Sequence, residues 1–220
     1  MTAGKLISSV IPPLRTSDTV RMALERMSEF KLYHLPIVNE KQFLGLVSED
    51  DLVEAGNSET AIGALPLHLM NAFCYDTAHV YELIRLFGDL RLSVVPVLDQ
   101  HKNYLGVVEI KNMMEYISHL FAVNEPGAVI VLSISNRNNS LAHISQVVEI
   151  ENAQILSSYV NTFANSTRME VTLKVNIMDV SAIVASFERY DYEVVAVFNN
   201  SGADNNYMDR YDSFMNYLNV

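Results

Sequence analysis

The chain has few of the residues that would tie it to an oxidising compartment, a membrane or a nucleic acid. It carries one cysteine, Cys74, and no tryptophan. A lone thiol closes no intrachain disulfide, which excludes a disulfide-built scaffold and fits a reducing cytoplasm. Cations are scarce: 15 Lys and Arg against 26 Asp and Glu leave a formal net charge of −11. Neutralising phosphates needs clustered Lys and Arg, so the balance argues against a general nucleic-acid binder. No apolar run reaches the roughly eighteen residues of a membrane span. The opening MTAGKLISSVIPPL has one lysine and too short an apolar stretch for a signal peptide. Half of the residues are nonetheless hydrophobic and only 19% are charged, enough to build packed cores. The 220 residues give room for one large or two small domains.

What the chain does have is a duplication. KLYHLPIVNEKQFLGLVSEDDL (31–52) is echoed by RLSVVPVLDQHKNYLGVVEIKNM (91–113). Pro36 aligns with Pro96, Leu44 with Leu105, Gly45 with Gly106 and Val47 with Val108. Upstream, Val20, Leu24 and Met27 fall against Val80, Ile84 and Phe87 at helical spacing. Sixty residues is too long for a solenoid unit, so the duplication predicts two small α/β units over 1–60 and 61–123 that pack as a pair. Each reads as strand, helix, strand, strand, helix. Gly45, in mid-strand, predicts a close backbone approach.

Beyond Ala122 the pattern changes. AVIVLSIS (128–135) reads as a strand and Ser140 caps a helix through LAHISQVVEIENA. QILSSYVNTF and RMEVTLKVNI alternate as paired strands, Asp179 caps VSAIVASFERY, and EVVAVF closes the unit. That βαββαβ order over 127–198 is ferredoxin-like. Residues 199–206 read as a loop. The last fourteen residues form a predicted amphipathic helix, with Tyr207, Tyr211, Phe214 and Leu218 on one side, expected to dock on its own chain or on a partner subunit.

The duplicated unit resembles the CBS domain, and two in tandem resemble the paired arrangement known as a Bateman module. The likeness rests on the helix, the L-P-I-V or V-P-V-L strand, and L-G-L-V-S-E-D-D or L-G-V-V-E-I-K-N. The family's G-x-x-[ST]-x-x-[DN] signature is met by Gly45-Leu46-Val47-Ser48-Glu49-Asp50-Asp51. The resemblance implies that Ser48 faces a phosphate, that Asp51 holds a ribose and that the strand around His34, Leu35 and Pro36 walls an adenine. A hydroxyl and free N–H groups at a helix start suit a phosphate. Ser-x-x-Asp is equally a helix-capping arrangement, and both readings stand at this point. In the second copy Glu109 replaces the hydroxyl, where it repels phosphate, and Lys111 is expected to point to solvent. Asn112 remains a ribose contact. At most one intact nucleotide site per chain is expected, centred on Ser48 and Asp51.

Residues 127–198 resemble an ACT domain. The loop Asn136-Arg137-Asn138-Asn139-Ser140-Leu141 stands where that family often has D-R-P-G-x-L. The resemblance makes Asn136, Arg137, Asn139 and Leu141 a candidate ligand loop for an amino acid, with a dimerisation surface as the alternative. The whole chain resembles small stand-alone regulators of the acetoin-utilisation type. The sequence reading is therefore an α/β (α+β) protein: a CBS-type pair, a ferredoxin-like ACT-like domain and a terminal helix. The implied function is a non-catalytic sensor that binds AMP, ADP, ATP or S-adenosylmethionine between the repeats and signals to a protein partner or through its own homodimer. The alternatives are a ligand-free dimeric scaffold and an amino-acid sensor. No required cofactor, metal site, nucleic-acid partner or membrane association is expected. The histidines lack metal-ligand spacing, and no Walker loop, G-x-S-x-G or H-E-x-x-H is present.

Overall fold

The computed structural model describes residues 1–135, 140–163 and 167–199. Asn136, Arg137 and Asn139 of the candidate ligand loop, and the predicted helix 207–220, lie outside the described residues. The chain divides into two compact units, Met1–Tyr116 and Ile117–Val220.

The first unit contains both repeats. Helix α1 (Val20–Phe30) starts at Thr19, whose hydroxyl accepts the Met22 N–H at 3.3 Å, and it buries Val20, Ala23 and Met27. Strands β1 (His34–Asn39) and β2 (Gln42–Ser48) pair antiparallel, with His34 opposite Ser48 and Ile37 opposite Gly45. Helix α2 (Glu49–Glu54) follows directly. The second repeat runs β3 (Cys74–Tyr75), α3 (Val80–Leu90), β4 (Val94–Leu98), β5 (Tyr104–Glu109) and α4 (Ile110–Leu120). Strand β3 pairs parallel with β4, and β4 pairs antiparallel with β5. The repeats join through their strand ends and turns. The Tyr33 N–H donates to Ser93 Oγ at 3.1 Å, and the Tyr104 N–H donates to the Lys41 carbonyl at 2.8 Å.

Two expectations need correction. The leading strand of the first repeat is reduced to an isolated bridge, Leu14 to Ile37. Pro12 and Pro13 supply no N–H for a ladder, so pairing begins only at Leu14. Gly45 is not a point of close approach: a Cβ there would meet Leu67 and Met70 at an ordinary 3.7 Å. Its counterpart Gly106 is one. It has φ +150°, and a Cβ would meet Ile7 Cγ2 at 2.5 Å and the Ser8 carbonyl at 3.0 Å.

The second unit is a four-stranded sheet with two helices: β6 (Val129–Ser135), α5 (Leu141–Ile150), β7 (Ile155–Thr162), β8 (Arg168–Val175), α6 (Ser181–Arg189) and β9 (Glu193–Phe198). The sheet order is β7-β8-β6-β9, all antiparallel, which is the ferredoxin-like arrangement that the βαββαβ order implies. Ser140 caps α5 by accepting the His143 N–H at 3.2 Å. Asp179 does not cap α6; Val180 holds the cap position, and Asp179 accepts the Ser181 N–H and hydroxyl instead. Alternate strand residues Ile130, Leu132, Val171, Leu173 and Val175 pack with Ile144, Val147, Val148, Ile183 and Phe187 into one core. No helix among the described residues is long and apolar enough to cross a membrane.

Candidate functional site

The residues singled out in the first repeat meet where β1 begins and β2 ends. Ser48 is the N-cap of α2, and with Asp51 it closes a reciprocal capping box. The Ser48 N–H and hydroxyl both donate to Asp51 Oδ2, at 2.9 and 2.6 Å, and the Asp51 N–H donates to Ser48 Oγ at 3.1 Å. The capping reading of Ser-x-x-Asp is therefore realised. Both bonds to the carboxylate fall on Oδ2, so Oδ1 stays outside the box. The first turn of α2 carries Glu49, Asp50 and Asp51, favourable at a helix N-terminus but a concentrated negative charge for any anion to approach.

His34 stands opposite Ser48 in the sheet. Burial holds its imidazole below the ordinary range, while Asp51 and Asp50 pull the other way. Leu35 is fully buried, and Pro36 is buried with its carbonyl accepting the Leu14 N–H at 2.8 Å. Both belong to the packed strand and offer no exposed wall. The Asp51 side borders a small cavity of about 220 Å³ that also takes in Glu54 and, from the segment joining the repeats, Leu65, Pro66 and His68.

At the corresponding place in the second repeat, Glu109 is only 4% exposed, and its carboxylate is held by Lys111 Nζ at 2.6 Å. Lys111 is largely exposed, as expected, and reaches the Glu109 carboxylate from the surface. Asn112 lies one residue further along α4, half-buried.

A cleft of about 430 Å³ collects residues from both repeats: Lys31, Tyr33, Arg91, Ser93, Glu109 and Lys111 among them. Lys31 and Arg91 are repeat-related. Each ends its helix in the left-handed conformation, at φ 57° and 50°. Tyr33 and Ser93 are related in the same way: their carbonyls accept the N–H groups that open the following helices, Glu49 at 2.9 Å and Ile110 at 3.1 Å. Sequence reasoning missed Lys31, Arg91 and Ser93. The signal was present as K-L-Y against R-L-S at the offset of the repeat. A larger cavity of about 820 Å³ lies at the other end of β1, by Pro13, Arg15 and Asn39. Arg26 there is engaged by the Pro13 carbonyl and Asp18.

In the second unit, Leu141 is the first residue of α5 and 47% exposed. Among the described residues no cluster of three or more His, Cys, Asp or Glu is placed to hold a metal.

Residues 3–58 and 69–119 match the family model of the CBS domain. The first unit is thus a tandem pair of CBS domains. Solved structures with a similar fold include a CBS domain pair/ACT domain protein from Thermotoga maritima, at 21% identity and a TM-score of 0.49, over 53% of this chain and 96% of that one. A putative acetoin utilization protein from Vibrio cholerae is 19% identical with a TM-score of 0.49, over 56% and 95% of the two chains. CBSX2 in complex with AMP is 20% identical with a TM-score of 0.47, over 53% and 95%.

Proposed function

We propose that the CBS pair is a regulatory sensor that takes an adenosyl nucleotide at the junction of its repeats. Occupancy then biases the arrangement of the repeats and is read by a protein partner or by the homodimer. The observation that carries this reading is the cleft both repeats line, with three cations, Lys31, Arg91 and Lys111, set against one buried carboxylate, Glu109. That excess of positive charge suits a phosphate, in a chain that is otherwise strongly acidic. Tyr33 ties the cleft wall to the first turn of α2, where Ser48 and Asp51 are the proposed contacts to phosphate and ribose. The ligand competes with the Ser48–Asp51 bonds, and the acids of that first turn favour a nucleotide of low charge over a triphosphate.

Calorimetric titration of the full chain with AMP, ADP, ATP, S-adenosylmethionine and adenosine tests this. The phosphate-bearing ligands are expected to bind, and Lys31→Ala with Arg91→Ala to weaken them at least about tenfold while leaving adenosine unchanged. Asp51→Asn is expected to weaken them all. The second reading, a ligand-free dimeric scaffold, is favoured by the mutual closure of Ser48 on Asp51 and of Glu109 on Lys111. It becomes the leading one if none of the five compounds gives heat and the protein is dimeric in their absence.

A further inference from the structure

The sheet of the second unit carries a pocket with a lysine on its floor, on the face away from its helices. Strand alternation sends Ile130, Leu132, Val171 and Leu173 into the helix-covered core and leaves Val129, Thr172 and Lys174 for the opposite face. There a cavity of about 500 Å³ is walled by Phe121, Tyr159 and Phe198, with Thr172 and Lys174 on its strand floor. Phe121 and Tyr159 meet edge to face, their ring centroids 5.5 Å apart, and the Ser157 hydroxyl donates to the Phe121 carbonyl at 2.9 Å, so this wall is built rather than incidental. The volume lies within the range of small-molecule sites.

Lys174 gives the pocket its chemistry. It is only 9% exposed, in mid-sheet, between Val129 on β6 and Ser157 on β7. Its Nζ donates to the Gly127 carbonyl at 3.0 Å, which satisfies one of three N–H groups. Among the described residues no carboxylate forms an ion pair with it. A buried ammonium without a counter-charge is costly, and buried charges are normally paired. We propose that this pocket binds a small monocarboxylate carried on an acyl or aromatic body, the carboxylate meeting Lys174 and the apolar body lying against Phe121, Tyr159 and Phe198. A single cation in an aromatic pocket balances one negative charge; a phosphate dianion would leave a charge uncompensated. The site lies by Gly127, just before the start of β6.

The test titrates the full chain with octanoate and 3-phenylpropanoate, and with octanamide and 3-phenylpropanamide as neutral partners of the same shape. The acids are expected to bind at least about tenfold tighter than their amides, the worth of a charge-assisted bond in a buried site. Lys174→Met is expected to abolish that preference, and Phe198→Ala to weaken acids and amides alike. Lys31→Ala with Arg91→Ala is expected to leave acid binding unchanged, which separates this site from the CBS cleft. The proposal is overturned if acids and amides bind equally, if neither binds, if Lys174→Met keeps the preference, or if the Lys31 and Arg91 changes remove it. Should Lys174→Met fail to fold, the acid-to-amide ratio on the unaltered chain decides alone.

Discussion

His34 and Ser93 meet across the internal duplication. The Ser93 N–H donates to His34 Nδ1 at 3.3 Å, and Ser93 Oγ lies 3.3 Å from the same nitrogen, although the residues are 59 positions apart. With Tyr33 donating to Ser93 Oγ, this joins the start of β1 to the residue before β4. An imidazole that accepts at Nδ1 is the neutral form, so the junction favours the unprotonated state.

That preference sets a pH dependence. Burial lowers the folded-state pKa of His34, against the opposing pull of Asp51 and Asp50. The unfolded chain takes up the proton near the ordinary value of roughly 6.5. Between that value and the lowered one the unfolded state holds more protons, so stability rises with pH in that window. The contribution is whole above the ordinary value and is lost as the pH falls below it. Urea midpoints are expected to drop from pH 7.5 to 5.5, and to drop less in His34→Gln. Identical slopes for the two proteins would show that His34 does not titrate in this range.

The capping box makes Ser48 structural as well as a proposed ligand contact. Ser48→Ala removes the acceptor for the Asp51 N–H and the hydroxyl bond to Oδ2, at a cost of about 1 kcal/mol. Ser48→Thr keeps the cap and is expected to lie close to the original stability. Equilibrium urea unfolding with a constant slope reads both. If Ser48→Ala unfolds at the original midpoint, the box contributes nothing, and Ser48 and Asp51 are free to serve a ligand without loss.

How far the sequence could be read divides along the range of the interactions. Ser-x-x-Asp is a contact between residues three apart, and its capping alternative was legible from spacing alone. The βαββαβ order was legible from periodicity, and the sheet order β7-β8-β6-β9 follows from it. The cleft of Lys31, Arg91 and Ser93 was not read, because basic residues at helix ends look like ordinary solvated caps until folding brings two copies of one turn together. Lys174 was hidden for a similar reason. In an alternating strand a lysine reads as the wet side, and only the fold, which brings the Gly127 carbonyl to Lys174 Nζ, shows that this one is buried. Gly45 and Gly106, identical by alignment, differ because Ile7 and Ser8 from the N-terminal segment press on one and not the other.

That difference is measurable. Gly106→Ala demands a positive φ and forces its Cβ against Ile7 Cγ2 and the Ser8 carbonyl. Overpacking of this kind costs about 1–3 kcal/mol before the conformational strain is added. Gly45→Ala meets ordinary contacts and carries no positive φ, so it is expected to fall within about 1 kcal/mol of the original protein. Thermal or urea unfolding of the two variants side by side reads the asymmetry. Equal destabilisation would mean that the N-terminal segment does not rest on β5.

Cys74 offers a probe of the first unit that needs no substitution. It lies on β3, 3% exposed and paired with Val97. Burial, with Glu82 and Asp76 adding to it, pushes its thiol up to about 12. The thiolate is the reactive species, so against a free thiol near 8.5 the native chain at pH 8 holds on the order of a thousandfold less of it. Labelling by a disulfide reagent is therefore expected to be negligible in the folded protein and complete in denaturant. Native-state labelling at a free-thiol rate would show that the β3 edge stands open. Where labelling proceeds through an opening that also releases the ligand, a ligand bound to the closed first unit slows it. At a concentration a hundred times its dissociation constant, such a ligand adds about 2.7 kcal/mol and slows the reaction by about a hundredfold. The same reaction run with AMP, and then with octanoate, therefore separates the two proposed sites: the first is expected to protect Cys74 and the second, bound in the other unit, to leave it unchanged.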